Sequence, residues 1–476
     1  MKSPVKYIIS VFLLSVAVVF SASAQQSLRT AYFLDGYTYN YKLNPAFAPE
    51  RPFFAFPTLG NIGVGAETNL GLSTFLYPTS DGKLTTFLSS TVDDDKFLNQ
   101  LKDRNKLNVS VNESLLALGF RTGKMFHTID LSLKADMNAF IPKELFSYVK
   151  SGGAGGQTSW NISQTGIRMN SRMELAYGFS RSISEKLRIG ARVKLLLGLV
   201  QADIVIDDIA ITMNRDYWTA VSDGKASISG PFTFGTADGT DRIDFSKVEM
   251  METPEELVKY FSKPSLGVAL DLGVSYDFLK YFTASVSVLD LGVIGWNGTT
   301  TAQMPGGQWD YNGIGDFSTN TNISSQLSSM GKEILDIMML EKTGDNLKKT
   351  SMLAATIHAG IEARMPFYER LSFGLLATQR INGPYSWTEG RLSANLAPCN
   401  WFSLAGSYAF SDFGSSVGGV LNLHLPILNL YVGMDSFLPL MNVTPQFVPI
   451  NTLNTNLSMG LTFAFGKAKG RYRADK

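Results

Sequence analysis

Bulky apolar residues alternate one by one with small or polar residues along many short segments of this chain. Between Leu266 and Phe278, for example, Leu, Val, Tyr and Phe occupy the even positions, while Gly, Ala, Ser and Asp occupy the odd ones. A period of two residues predicts a β-strand with two different faces. The pattern fits a soluble sheet, with one face in water, and equally a membrane strand, with one face in lipid and the other in a polar lumen.

Full charges on the polar face distinguish these alternatives. In LRIGARVKLLLGL, Arg188, Arg192 and Lys194 alternate with apolar residues, and other segments repeat the arrangement. A soluble protein would need a second sheet to cover each apolar face, whereas lipid covers them without further sequence. We therefore predict an all-β fold, a transmembrane antiparallel up-and-down β-barrel formed by residues 53–466.

About fourteen segments have this pattern and at least the roughly 9 residues that a barrel strand needs. The predicted strands are 53–77, 107–121, 125–140, 166–182, 187–206, 265–279, 281–295, 353–366, 370–382, 385–397, 401–412, 416–426, 428–438 and 455–466. We expect the first to be broken, because it contains Pro57 and several glycines. A misplaced hairpin within 207–264, where KASISGPFTFG also alternates, would raise the count to sixteen.

Every second connection between the predicted strands is short, and the others are long except for two short hairpins near Gly383 and Gly414. The short ones, predicted to be periplasmic turns, are 122–124, 184–186, 279–280, 367–369, 398–400 and 426–427. The long ones, predicted to be extracellular, contain short helices in DDDKFLNQLKDRN, PKELFSYVK, TPEELVKYFSK and SSQLSSMGKEILDIMML. In the third of these, Thr253 and Glu256 predict a capping box with proline at the first helical position. An even strand number places both chain ends in the periplasm.

The two ends of the chain lie outside the predicted barrel. Residues 1–24 combine two lysines, an apolar run and the small residues SASA, so we expect a secretory signal cleaved after Ala24 and a place in the bacterial outer membrane. Residues 25–52 are too rich in Tyr and Phe for a disordered tail, and we expect them to fold back as a plug in the lumen. Residues 467–476 form a basic tail that is expected to stay in the periplasm.

Composition agrees with a membrane protein and excludes other classes. Charged residues make up 17% of the chain, below the roughly 25% of soluble domains. The formal net charge of +1 gives no reason to expect nucleic acid as a partner. The single cysteine, Cys399, excludes an intrachain disulfide and makes a thiolate metal cluster implausible. We predict no cofactor and no metal site.

The segment LNPAFAPERPFFAFPTLGNIGVGAETNLG carries a resemblance to known barrels. With Asn44, Pro45 and Ala46 just ahead of the first strand, it resembles the start of a family of Bacteroidota outer-membrane barrels of unassigned function. More distantly, the Asn-Pro-Ala triplet resembles the long-chain fatty-acid transporter family, the FadL-like barrels, whose members have fourteen strands and an N-terminal hatch. The resemblance implies that the triplet is a plug motif and that the ligands are hydrophobic small molecules.

The last predicted strand, SMGLTFAFG, contains a second motif. Ser458, Gly460, Phe463 and Phe465 follow the order polar-x-Gly-x-x-aromatic-x-aromatic, which resembles the signal by which the barrel assembly machinery recognises its clients. Aromatic residues suit the membrane interface, and an open strand edge in lipid would leave backbone groups unpaired. The assembly machinery and outer-membrane lipids are therefore expected partners.

Charged residues of both signs are predicted on the lumen faces of neighbouring strands. They are Asp130, Lys134, Asp136, Arg168, Arg172, Glu174, Arg188, Arg192 and Lys194. An ion-selective pore would show a ring of one sign. The mixed signs favour a structural ion-pair network or a surface on which the plug docks.

Catalytic chemistry has little support in the sequence. The chain has three histidines, and no two of them have metal-ligand spacing. His424 and Asp435 are predicted on neighbouring strands facing the lumen, which leaves open a serine hydrolase of the outer-membrane phospholipase kind. No serine motif completes such a site, so we expect a non-enzymatic protein without catalytic residues.

Two functions remain open from the sequence. A FadL-like conduit or binding protein for hydrophobic small molecules would have an apolar pocket between loop helices and plug, and a lateral opening in the wall. A protein-interaction barrel, resembling the FadL-like shuttle of the type IX secretion system, would bind secretion-system proteins through an exposed loop surface and have no through path. A purely structural outer-membrane protein is a further alternative.

Overall fold

A closed antiparallel barrel of fourteen strands dominates the computed structural model. The structure describes residues 28–55, 60–79, 82–151, 159–213, 218–237, 239–251, 253–304, 307–309, 340–436 and 454–466. The predicted fold class, strand number, plug and loop helices are confirmed. The signal segment, the basic tail and the helix expected in SSQLSSMGKEILDIMML lie outside the described residues.

Each barrel strand pairs with the barrel strands before and after it in sequence, and the first barrel strand consists of two pieces, β1 and β2. The strands are β1 (Phe53–Ala55), β2 (Asn61–Thr68), β3 (Leu76–Pro78), β4 (Leu84–Thr86), β5 (Arg104–Thr122), β6 (Met125–Pro142), β7 (Ser159–Ser182), β8 (Leu187–Met213), β9 (Trp218–Ser229), β10 (Phe232–Thr236), β11 (Ile243–Met250), β12 (Ser265–Leu279), β13 (Phe282–Gln303), β14 (Gly307–Trp309), β15 (Glu341–Met352), β16 (Ala355–Met365), β17 (Tyr368–Ile381), β18 (Trp387–Cys399), β19 (Phe402–Ser411), β20 (Gly414–His424), β21 (Leu428–Ser436) and β22 (Thr455–Ala464). The fourteen barrel strands are β1 together with β2, β5 to β8, β12, β13 and β16 to β22. The barrel closes because β22 pairs with both β1 and β2.

Side-chain exposure alternates along the strands as the sequence pattern predicts. Leu195, Leu266 and Phe410 point outward and are 58%, 61% and 60% exposed, while the inward Lys194 and Asp271 are buried. Soluble monomers rarely expose a continuous apolar surface as large as this band. The outward face is therefore a lipid-facing surface. Among the described residues, no helix is both long and apolar enough to cross a membrane.

The two ends of the barrel differ in their connections. The six short turns predicted from the sequence all lie at one end, here called the turn end. The turn between β5 and β6 is tight enough to need Gly123 in the left-handed region, with φ of 56°. The long connections lie at the opposite end, here called the loop end.

Several strands continue beyond the barrel at the loop end. There β8 pairs with β9, which pairs with the end of β13, and β13 pairs on its other side with β15. Because β12 begins only at Ser265, β9 takes its place beside β8 above the barrel. The alternating segment KASISGPFTFG within 207–264 thus belongs to β9 and β10, which lie outside the barrel, and the strand count stays at fourteen.

Short helices complete the fold. They are the 3-10 helices Arg29–Ala31 and Thr38–Lys42, and the α-helices α1 (Leu72–Phe75), α2 (Asp94–Leu98), α3 (Lys143–Ser151) and α4 (Pro254–Phe261). Helix α4 has the predicted capping box, in which Thr253 and Glu256 bond each other's backbone N–H groups. The predicted end of the first strand was wrong, because β2 ends at Thr68 and α1 follows.

Candidate functional site

The plug, residues 28–52, fills the lumen with aromatic side chains. Tyr32, Tyr37, Tyr39 and Phe47 are all at most 2% exposed and belong to one buried apolar cluster that includes wall residues such as Tyr431. Edge-to-face contacts, such as that between Tyr37 and Tyr431 at 5.0 Å, order the cluster. The lumen is therefore closed by packed side chains at the level of the plug.

The Asn-Pro-Ala motif presses against a part of the wall that has no side chains on its inner face. Gly190 of β8 pairs directly with Gly273 of β12. A Cβ atom on Gly190 would lie 2.0 Å from the carbonyl oxygen of Pro45, and one on Gly273 would lie 2.1 Å from Asn44 Oδ1. Asn44 is buried; its Oδ1 accepts a hydrogen bond from the N–H of Ala46 at 2.9 Å. The motif is thus a compact turn that docks on these two glycines.

The first turn of the plug is held by carboxylates at the loop-end side of the lumen. The backbone N–H groups of Arg29 and Thr30 donate to Asp435 at 2.9 and 2.7 Å. The Arg29 guanidinium lies 2.6 Å from Glu67 and 3.3 Å from Glu389. This arrangement caps the 3-10 helix and pairs its buried charge.

Most of the predicted lumen charges form one continuous chain of ion pairs. Residues of alternating sign follow one another from the plug upward, each within 4 Å of the next: Lys42, Asp130, Arg192, Asp271, Lys194, Asp290, Lys134, Glu174, Arg172, Asp136 and Arg380. At the lower end, the Tyr41 hydroxyl also donates to Asp130 at 2.6 Å. This ion-pair chain joins the plug to the loop-end half of the lumen. Arg188 lies apart, half-buried near the turn end.

Burial controls protonation at the plug end of this chain. It lowers the pKa of Lys42 to about 8, although the Asp130 carboxylate 3.4 Å away acts in the opposite direction. Burial also raises the pKa of Tyr41 well above its usual value, and the negative charge of Asp130 adds to this effect. Tyr41 therefore remains a neutral hydrogen-bond donor to Asp130.

A cavity of about 280 Å³, here called the mouth pocket, lies where the ion-pair chain reaches the loop-end half of the lumen. Its charged lining residues are Asp136, Arg168, Arg172, Asp203 and Arg380. Three of the predicted charges therefore line a cavity, whereas the other buried members of the ion-pair chain lie below it. The conduit hypothesis leads one to expect an apolar pocket here, and this one is polar.

The wall of the barrel is interrupted between β1 and β2. From the pair Phe54–Phe463 to the pair Ile62–Met459, the first strand advances by eight residues while β22 advances by four. The register of the first strand against β22 therefore shifts by four residues between its two described pieces. At the described edge of the interruption, the carbonyl of Gly60 accepts a hydrogen bond from Tyr39 of the plug at 2.7 Å.

Gly460 of the proposed assembly signal lies at this interruption, and Ser458 lies two residues away, paired with Gly63 of β2. A Cβ atom on Gly460 would lie 2.1 Å from the Gly60 carbonyl oxygen, so only glycine admits that close approach. Ser458 is buried and lies 3.0 Å from the Tyr431 hydroxyl. Phe465 is 52% exposed on the outward side, and Phe463 precedes it on the same face.

A family model describing a family of unknown function, DUF5723, matches residues 45–435. The chain belongs to this family. No curated protein matches it. Solved structures similar to this DUF5723 barrel include the Ralstonia pickettii toluene transporter TbuX, with 10% identity, a TM-score of 0.42 and coverage of 94% of this chain and 100% of that chain. A Pseudomonas aeruginosa FadL homologue is similar with 10% identity, a TM-score of 0.41 and coverage of 94% of this chain and 100% of that chain. The translocator domain of the Neisseria meningitidis autotransporter NalP is also similar, with 6% identity, a TM-score of 0.32 and coverage of 87% of this chain and 88% of that chain. Sequence identities and TM-scores this low assign no function to the chain.

The hydrolase alternative finds no support in the geometry of the DUF5723 barrel. His424 lies at the turn end and Asp435 at the loop end, so they do not meet. His424 Nε2 does lie 2.8 Å from Ser403 Oγ, but Ser403 is 0% exposed and donates to the plug carbonyl of Asp35. Across the described ranges, no three His, Cys, Asp or Glu side chains are placed to hold a metal ion.

Two acidic members of the ion-pair chain, Asp271 and Asp290, were not among the predicted lumen charges. Asp271 was recognisable, since the alternation of its strand places it on the lumen face. Asp290 was not, because a β-bulge with φ of 58° at this residue breaks the alternation and turns its side chain toward Lys194.

Proposed function

We propose that this protein is an outer-membrane conduit or binding protein for small molecules with a hydrophobic part, of FadL-like plan. The ligand enters at the loop end, is held above the plug and leaves sideways into the lipid through the interrupted first strand. The secretory signal predicted over residues 1–24 and the lipid-facing band support a location in the outer membrane. Assembly by the barrel assembly machinery through the motif at 458–465 belongs to the same proposal.

The observation that carries this proposal is the contact between the plug and the wall interruption. A strand that breaks within lipid leaves backbone groups unpaired, which is costly unless protein or ligand covers them. Here Tyr39 covers the carbonyl of Gly60 from the lumen side. The aromatic cluster behind Tyr39 offers an apolar surface to a molecule that passes when the plug shifts.

Outer-membrane lipid is the proposed partner of the wall next to the plug motif. An apolar groove of about 340 Å³ lies on the wall formed by β7, β8, β12 and β13. Its lining includes Phe179, Ile189, Leu272 and Val274, around the glycine pair on which the motif docks. A lipid acyl chain matches this groove because both are apolar.

One observation favours the alternative of a protein-interaction barrel. The strands β7, β8, β9, β13 and β15 extend beyond the barrel at the loop end, and β15 exposes most of its side chains, including Lys348 and Lys349. A protein client of the type IX secretion kind would bind such a surface. Lysines on an edge strand also serve to prevent sheet-to-sheet association, so the conduit is our first proposal.

The substitution Tyr39→Phe tests the conduit. It removes the hydrogen bond to Gly60 without changing the ring, and such a bond contributes about 0.5–1.5 kcal/mol. The plug then leaves the wall more often, and we expect uptake of an apolar naphthylamine dye by cells producing the barrel to rise about two- to tenfold. Tyr281→Phe, at the turn between β12 and β13, is the matched control.

Dye uptake equal to that of cells lacking the barrel, for both the wild type and Tyr39→Phe, would contradict the conduit. Sensitivity to a large hydrophilic antibiotic is measured in parallel. It must stay constant, because general leakage of the membrane would raise both signals.

A further inference from the structure

The charges that line the mouth pocket are already paired with one another. Arg172 and Arg380 donate to the two oxygens of Asp136 at 3.1 and 3.0 Å, and Arg168 donates to Asp203 at 2.8 Å. Three guanidinium groups and two carboxylates leave one net positive charge. The two carboxylates would repel a strongly anionic ligand, and the three guanidinium groups would repel a cationic ligand.

The lining retains hydrogen-bonding capacity of both kinds. Asp203, Asn138 and Arg380 line the cavity, and Asp203 Oδ1 and Asn138 Oδ1, which are acceptors, and Arg380 Nε, which is a donor, have no hydrogen-bond partner among the described residues. These three atoms are buried just behind the cavity surface, so a ligand reaches them when the side chains turn toward it. Unpaired buried polar groups are costly, and a well-formed site offers them partners. Hydroxyl groups donate and accept at the same atom, so they match a lining that presents acceptors and donors side by side.

One side of the pocket is less polar than the rest. Residues 352–354, Met-Leu-Ala, form the kink between β15 and β16 and line the cavity next to Arg380 of the neighbouring strand β17. At about 280 Å³, the cavity lies just below the roughly 300–1,000 Å³ of typical small-ligand pockets. It can take one ring-sized polar group, with an apolar continuation along the kink.

We propose that the mouth pocket binds the uncharged, hydroxyl-rich end of an amphipathic ligand, for which a simple glycoside is the chemical model. This inference rests on the proposed function and narrows it. The substrate is then not a bare hydrocarbon, since a hydrocarbon would leave the lining groups without partners. The ligand's polar end is held by Asp203, Asn138 and Arg380, and its apolar part lies against the kink.

The test compares three probes with the same octyl tail: octyl glucoside, octanoate and octyltrimethylammonium. The full-length barrel is placed in lipid nanodiscs, and empty nanodiscs serve as the blank. Saturation-transfer NMR is recorded below the micelle concentration of each probe. We expect octyl glucoside to bind at least about tenfold more tightly than either charged probe.

Two conservative variants locate the site. Arg380→Lys keeps the positive charge beside Asp136 but removes the Nε–H donor, and Asp203→Asn removes the charged acceptor. We expect each to weaken octyl glucoside binding about tenfold, the usual effect of losing one hydrogen bond to a charged group. Asp223→Asn, exposed on β9 outside the pocket, is the control and should bind as the wild type does. Heat-modifiable gel migration verifies that all variants are folded.

Tighter binding of octanoate than of octyl glucoside would overturn the proposal and make the pocket an anion site. Equal binding of all three probes, unchanged in both variants, would overturn it by showing that only the tail is recognised. Neither result would contradict the proposed conduit function. Dye uptake by Tyr39→Phe tests that function separately, because it does not depend on the head group of the ligand.

Discussion

Single glycines determine how closely the plug can approach the wall. Gly190 and Gly273 face the Asn-Pro-Ala motif with no room for a methyl group, and Gly460 leaves space for the carbonyl of Gly60. In each case the plug or the broken strand contributes backbone or a short side chain that cannot rotate away. The sequence shows these glycines, but only the three-dimensional register explains which ones contact the plug.

We expect Gly190→Ala to destabilise the barrel and displace the plug motif. The added methyl group would meet the Pro45 backbone, and overpacking of this kind costs about 1–3 kcal/mol. Gly406→Ala is the matched control, since no atom lies within 4 Å of its Cβ position. Urea unfolding of the two variants in detergent should give a lowered midpoint for the first alone. Equal midpoints would show that the motif does not press on this wall.

At the scale of elements, the plug is a short segment that distant strands hold in place. Its first 3-10 helix is capped by Asp435 of β21, and its docking turn lies on β8 and β12. These partners are separated from the plug by more than a hundred residues of sequence. The plug therefore reaches its final position only in the closed barrel.

We expect Asp435→Asn to loosen the first turn of the plug. Asparagine keeps one acceptor oxygen but removes the charge opposite Arg29 and Arg391, and weakening such buried bonds costs about 1–3 kcal/mol. Hydrogen exchange at residues 28–34 should become faster than in the wild type. Glu185→Gln, on an exposed turn, should leave it unchanged. Unchanged protection in Asp435→Asn would mean that the cap does not hold this helix.

The strands were predictable from sequence because alternation is a local property. Leu266 to Phe278 shows its two faces without any partner, and the capping box at Thr253 announces a helix start by itself. The strand ends at the loop end were not predictable, since β7 and β8 continue past the lipid, where no apolar face is required. Pairings such as Arg29 with Glu389 depend on closure of the whole barrel, which no local pattern encodes.

At the scale of the whole molecule, the barrel encloses a lumen that the packed plug fills. The ion-pair chain connects Lys42 in the plug to Arg380 beside the mouth pocket, so the two regions share one electrostatic network. In the proposed conduit, passage through the lumen requires the plug to move, because the aromatic cluster of the plug is packed against the wall. The proposed conduit function therefore depends on movement of the plug.

A reversible disulfide between plug and wall tests whether the plug must move. The side-chain oxygens of Thr30 and Ser407 are 2.8 Å apart, so cysteines at both positions are close enough to bond. Cys399→Ser removes the native thiol, and Thr30→Cys alone is the control. We predict that dye uptake by the oxidised double variant, with its disulfide verified by mass, falls to that of cells without the barrel and returns on reduction. Equal uptake in the oxidised and reduced states would contradict a plug that must move.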